Sequence, residues 1–181
     1  MKGKSRILEE YEVNPYTLML KPVEYGAKTF TEIIEMEDVI LSPFKPMDIL
    51  KKSCEFFGSS YQGRKDGTKE LIGISYKAPI MLNPQMSMFL FPTTSPVKSE
   101  CIWISHSHVT SYSAAGNGQT SVTFQNRESH LVPISCSSFE NQVLRTSNLR
   151  TAYSQRISEM ESKYTMKTFY MKAKQTREET L

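Results

Sequence analysis

The sequence predicts an α+β fold: a mostly antiparallel β-sheet, sandwich- or barrel-like, with one short helix and one long carboxyl-terminal helix. Three observations carry this. Short β-branched and aromatic runs recur through the first fifty residues and again up to residue 134, broken by proline, glycine and asparagine. Ile49, Leu50, Ser53, Phe56 and Phe57 share one face at helical spacing. Phe139, Val143, Thr146, Leu149, Tyr153, Ile157 and Met160 recur three or four apart over a longer stretch.

In chain order, strands are expected at Tyr16–Leu20, Thr29–Glu35 and Val39–Leu41, interrupted by Pro22, Gly26 and Pro43. A helix follows over Pro46–Phe57, with proline in its first turn and Gly58 as its stop. Phe56–Lys69 then holds Gly58, Gly63 and Gly67, and reads as an exposed, mobile loop. Short strands are expected at Leu71–Tyr76, Met88–Phe91, Cys101–Val109, Ser121–Gln125 and His130–Ile134, the last two as a hairpin across Asn126-Arg127-Glu128. Ser137-Ser138-Phe139-Glu140 has the form of a capping box opening the long helix. Beyond residue 160 the pattern fades, so residues 1–160 read as one domain and 161–181 as a polar tail.

With 181 residues, 39% apolar and 23% charged, the chain has the balance of a single ordinary globular domain. No apolar run reaches membrane-spanning length, and the basic start at residues 1–10 lacks the hydrophobic stretch of a signal peptide. Three widely spaced cysteines, Cys54, Cys101 and Cys136, fit a reduced, cytoplasmic setting. The net charge of +3 is small. Its distribution says more: residues 51–77 carry six basic against three acidic side chains, and residues 137–181 eight against five. That excess suits either a polyanion or a plain solvated surface.

Several chemistries fail on their own requirements. Gly58-x-x-x-x-Gly63-Arg64-Lys65 has the outline of a phosphate-binding P-loop, but lysine does not follow the second glycine and no Ser or Thr comes next to hold magnesium. Cys101, His106 and His108 match no zinc spacing, and Ile102 and Ile104 would share a strand face with the histidines. Cys136 or Ser105 with His106 can be drawn as a nucleophile and base, but no nucleophile elbow or orienting carboxylate accompanies them. No metal, cofactor or enzymatic activity is expected.

Nucleic-acid binding fits better. Arg64 and Lys65 sit at the tip of the expected loop with Lys69 after them, and Asn141 and Gln142 lie in the first turn of the long helix, at its positive dipole end. Those two amides either read base edges or simply solvate a helix surface. Phe89, Phe91 and Trp103 either stack single-stranded bases or fill the core.

Together, Tyr11–Asn14 (YEVN), Phe56–Thr68 (FFGSSYQGRKDGT), Ile74–Leu82 (ISYKAPIML), Phe89–Thr93 (FLFPT), Trp103–Val109 (WISHSHV) and Pro133–Arg150 (PISCSSFENQVLRTSNLR) resemble the ComK family, the competence transcription factors of Gram-positive bacteria. The likeness runs over residues 10–157. It implies a cytoplasmic, nucleoid-associated activator that binds double-stranded AT-rich promoter DNA at paired adenine-then-thymine boxes, contacts the minor groove, acts as a multimer and is removed by an adaptor-directed Clp protease. Arg64 would then enter the narrow, electronegative minor groove of an A-tract. Lys65, Lys69 and Arg127 would contact the backbone, with Arg145 and Arg150 as further contacts unless Arg150 pairs with an internal acid. The rival reading is an interaction protein that keeps the fold without binding DNA. No helix-turn-helix is expected, so contact would fall to loops and a sheet edge.

Two departures from the family stand out. Arg127 occupies a turn position where relatives place glycine, so a wider hairpin is expected. Phe169-Tyr170-Met171-Lys172-Ala173-Lys174 keeps the character of the relatives' adaptor-binding element but lacks its proline.

Overall fold

A computed structural model describes residues 6–178; residues 1–5, where the start was read for a leader, and the last three of the expected tail lie outside the described residues. The elements are β1 (Arg6–Ile7), β2 (Thr17–Tyr25), β3 (Lys28–Glu35), β4 (Val39–Ser42), α1 (Pro46–Phe56), α2 (Tyr61–Ile72), β5 (Ile80–Asn83), β6 (Met88–Pro92), β7 (Trp103–Ser105), β8 (Val109–Ala114), β9 (Thr120–Phe124), β10 (Ser129–Val132) and α3 (Cys136–Glu178). Seven strands form one sheet in the order β1-β4-β3-β2-β7-β6-β5, antiparallel except for β1 beside β4. A second sheet has the order β10-β9-β8. The α+β class is as expected.

Strand alternation divides the interior in two. Ile33, Leu90 and Trp103 face a core shared with Ile49, Leu50 and Cys54 of α1. Their neighbours Ile34, Phe91 and Ile104 face a second core with Val122, Phe124 and Val132 of the small sheet and Phe139 of α3. The large sheet is thus a middle layer, covered by helices on one side and by the small sheet and the start of α3 on the other.

The expected glycine loop is a helix. Gly58 (φ +75°) does end α1, and Ser60 then opens α2 by accepting a hydrogen bond on its hydroxyl from the Gly63 N–H at 3.0 Å. Gly73 (φ +73°) closes α2 in the left-handed conformation. Between these caps Gly63 and Gly67 are interior helix residues, held there by tertiary anchors. The Thr68 hydroxyl donates to the Pro79 carbonyl at 2.7 Å, and the Tyr61 ring meets Trp103 edge-on. Helix propensity, weak at glycine, gives way to these contacts. The strand expected at Leu71–Tyr76 is therefore absent, and β5, a four-residue strand, carries too short a pattern to be legible.

Other expectations are corrected in detail. The run Cys101–Val109 breaks at a 3₁₀ turn, His106–His108, between β7 and β8. Ser135, not Ser137, caps α3, its hydroxyl accepting from the Ser138 N–H at 3.3 Å. α3 does not fade at residue 160 but continues to Glu178, and its projecting part exposes Met160, Tyr164, Met166, Phe169, Tyr170 and Met171. The missing proline in 169–174 is consistent with that continuity, because proline would break the hydrogen-bond ladder.

The β9–β10 hairpin is tight rather than wide. Arg127 takes φ +68°, its N–H donating to the Phe124 carbonyl and the Phe124 N–H to the Glu128 carbonyl, both at 2.9 Å. This is a three-residue loop whose last position favours glycine. Arginine there bears left-handed strain of about 1–2 kcal/mol. Arg127→Gly should therefore raise stability by up to about 1 kcal/mol after the added freedom of the unfolded chain is discounted, as read from urea denaturation.

Candidate nucleic-acid interface

α1 and α2 are joined by four residues that include Gly58, so the structure contains a helix pair with a short turn where none was expected. α2 packs one side through Tyr61 and Thr68 and turns Gln62, Gly63, Asp66, Lys69 and Glu70 outward, with Lys65 half-exposed at the margin. Gly63 and Gly67 leave the helix without side chains at these positions, and nothing lies within 4 Å of where a Gly67 Cβ would stand. A flat polyanion can approach such a helix closely, with Lys65 and Lys69 as its counter-charges.

Arg64 is placed differently from the expectation. It is half-buried on α2, and its guanidinium donates to the Phe57 carbonyl at 3.3 Å, at the carboxyl end of α1. A cation there satisfies an orphan carbonyl and the negative end of the helix dipole. Its charge also reaches the Cys54 thiol, which burial nevertheless pushes up to about 11. Arg64 is thus a cap between two helices, not the tip of a pliable loop.

α3 brings Arg156 to the end of α2. Its guanidinium donates to the Glu70 carbonyl at 3.4 Å and lies 3.6 Å from the Glu70 carboxylate. The pair is exposed and ties the helices only lightly. Among the α3 residues singled out from sequence, Asn141 and Arg150 are exposed and Arg145 is half-buried. Arg145 donates to the Tyr76 carbonyl and to Gln142 at 3.4 and 3.3 Å. Arg150 lies over the Phe89 ring at 6.0 Å, a cation–π contact rather than the acid pair considered for it.

Gln142 is not on the surface. It is 3% exposed, and its amide donates to the Lys77 carbonyl at 3.1 Å and the Pro92 carbonyl at 2.6 Å. It joins α3 to the β6 end and the turn before β5, and base reading by this side chain is excluded by its burial. The aromatic alternatives resolve the same way: Phe89, Phe91 and Trp103 are buried in the core, not laid out for stacking.

Arg127 is exposed at the tip of the small-sheet hairpin, on the opposite side of the large sheet from α2. The predicted cations therefore form three groups, on α2, on α3 and on the hairpin. Arg156, which the helical spacing sets beside Arg145 off the apolar stripe, is not among the expected contacts, because its place beside α2 depends on how α3 crosses it.

The histidines diverge. A His106 ring nitrogen meets the Ser147 hydroxyl at 3.0 Å, whereas His108 bonds the Pro15 carbonyl at 2.8 Å and Gln125 at 3.1 Å. Burial, with Arg150 beside it, holds the His106 imidazole below the ordinary histidine range. Among the described residues no three His, Cys, Asp or Glu side chains gather as a metal site requires, and no helix is long and apolar enough to cross a membrane.

Residues 8–158 match the protein family described as "ComK protein". The chain is 45% identical to the competence transcription factor of Bacillus subtilis (strain 168) over 170 residues, which is 94% of this chain and 88% of that protein. No solved structure matches it.

Proposed function

The chain belongs to the ComK family, and on that premise we propose that it is a cytoplasmic transcription factor that binds AT-rich promoter duplexes through the minor groove and activates DNA-uptake genes. The observation that carries this is the match to a competence transcription factor along nearly the whole chain. The geometry supports it with exposed and half-exposed cations on supported elements. Lys65 and Lys69, with Asn141, Arg145 and Arg150 on α3, contact backbone phosphates. Arg127 on its narrow hairpin is shaped to enter an A-tract groove in place of Arg64, which holds α2 against α1; because it lies across the large sheet from α2, a duplex against α2 meets it from a second protomer of the multimer. Binding as a multimer on paired boxes, and removal through a Clp adaptor that grips the exposed aromatic stretch of α3, complete the reading.

A second reading follows from the α1–turn–α2 pair: α2 enters the major groove as a recognition helix, with Gln62 and Lys69 toward base edges. Inosine separates the two. An I·C pair lacks the minor-groove amino group of G·C but keeps its major-groove pattern. In gel shifts on a promoter duplex, boxes with I·C in place of A·T should bind about as well as the native boxes, whereas G·C boxes should not. Equal failure of I·C and G·C boxes would move the contact to the major groove, and equal binding of all three would remove the AT preference.

A further inference from the structure

We propose that a cavity at the amino end of α1 binds an acidic segment of a partner protein, which inserts one apolar side chain among three lysines. The cavity holds about 300 Å³, and its wall includes Lys45, Lys51 and Lys98 with Met47, Val97 and Trp103. Among the described residues no Asp or Glu lines it. Lys45 is the residue preceding the first turn of α1, an 11-residue helix whose amino end carries partial positive charge, offset in part by Asp48 in that turn. Lys98 has one carboxylate neighbour, Glu100 at 3.7 Å, and both groups are more than half exposed, so the pair yields readily to a ligand.

Two features point to an occupant. Val97 is 91% exposed at the rim, a bare aliphatic side chain beside an apolar floor. Trp103 is wholly buried, yet among the described residues its indole N–H has no hydrogen-bond partner. An unpaired buried donor is costly, and an acceptor that reaches it on binding would relieve that cost. The requirements are then an apolar group small enough for the cavity, an acceptor beside it and negative charge around it. An apolar residue flanked by Asp and Glu meets all three. A DNA backbone supplies the charge but nothing apolar to fill the concavity. The arrangement is that of a protein interface, with one buried anchor in a charged rim.

Trp103 is the only tryptophan in the chain, so its indole cross-peak reports occupancy without ambiguity. The test uses the ¹⁵N-labelled full chain titrated with the capped peptide acetyl-Glu-Asp-Phe-Asp-Glu-amide. The expected result is a saturable shift of the indole peak. Placing Gly at the Phe position, or Lys at the four acidic positions, should abolish it. Lys45→Glu with Lys51→Glu should weaken binding at least tenfold, while A-tract duplex affinity stays within twofold. The proposal is overturned by no saturable shift, by an equal response to the Gly or Lys peptide, or by a duplex that moves the indole peak and competes with the acidic peptide. That last outcome would assign the cavity to nucleic acid.

Discussion

Reversing two charges on α2, Lys65→Glu with Lys69→Glu, should reduce affinity for an A-tract duplex by about two orders of magnitude or more, and flatten the plot of log affinity against log salt by about two units. Each lysine that neutralises a phosphate releases close to one counterion, so losing two contacts removes that much of the slope, and the new carboxylates add repulsion. Neither side chain is in the core, so the far-ultraviolet spectrum and melting temperature should hold near wild type. The Arg64→Ala exchange is a poorer probe. It strips α1 of a carboxyl-terminal cap and would mix a folding defect with a binding one. Wild-type affinity and slope in the double variant would take α2 out of the interface.

Gln142→Ala should destabilise the fold by about 2–4 kcal/mol, because it leaves the buried Pro92 carbonyl and the part-buried Lys77 carbonyl without their donor and empties a buried site. For a chain of this size that lowers the melting midpoint by roughly 5–15 °C. Its neighbour Asn141 is exposed, and Asn141→Ala should stay within about 0.5 kcal/mol of wild type. The contrast separates a structural amide from a surface one, although the sequence offers the two side by side at the start of a helix. Equal stability of the two variants would contradict the buried role.

That contrast shows where sequence reasoning reaches its limit. Strands β3, β4, β6, β9 and β10 were legible because alternation and β-branching act locally, and α1 because proline and glycine bracket it; β2 was legible only to Leu20, since it runs on through Pro22, expected as a break, to Tyr25. α2 was not, because glycine density outweighed the caps. What distinguishes Gly58 and Gly73 from Gly63 and Gly67 is a positive φ, and the anchor at Thr68 comes from Pro79 in a later loop. The 101–109 run misled because a 3₁₀ turn sends His106 toward α3 and His108 toward Pro15. Arg127 drew attention as a departure from glycine, yet the turn kept its form and left the strain in the backbone. The lysines at 45, 51 and 98 were invisible as a group, since two of them are drawn from regions without a positive excess and the fold alone assembles them.

In the proposed complex the outward face of α2 lies against duplex DNA. Limited lysine acetylation read by mass spectrometry, with and without a saturating A-tract duplex, tests it most directly. Lys65 and Lys69 should lose reactivity several-fold on the duplex while Lys45 and Lys51 keep theirs. Unchanged reactivity at Lys65 and Lys69 in a fully bound complex would contradict it.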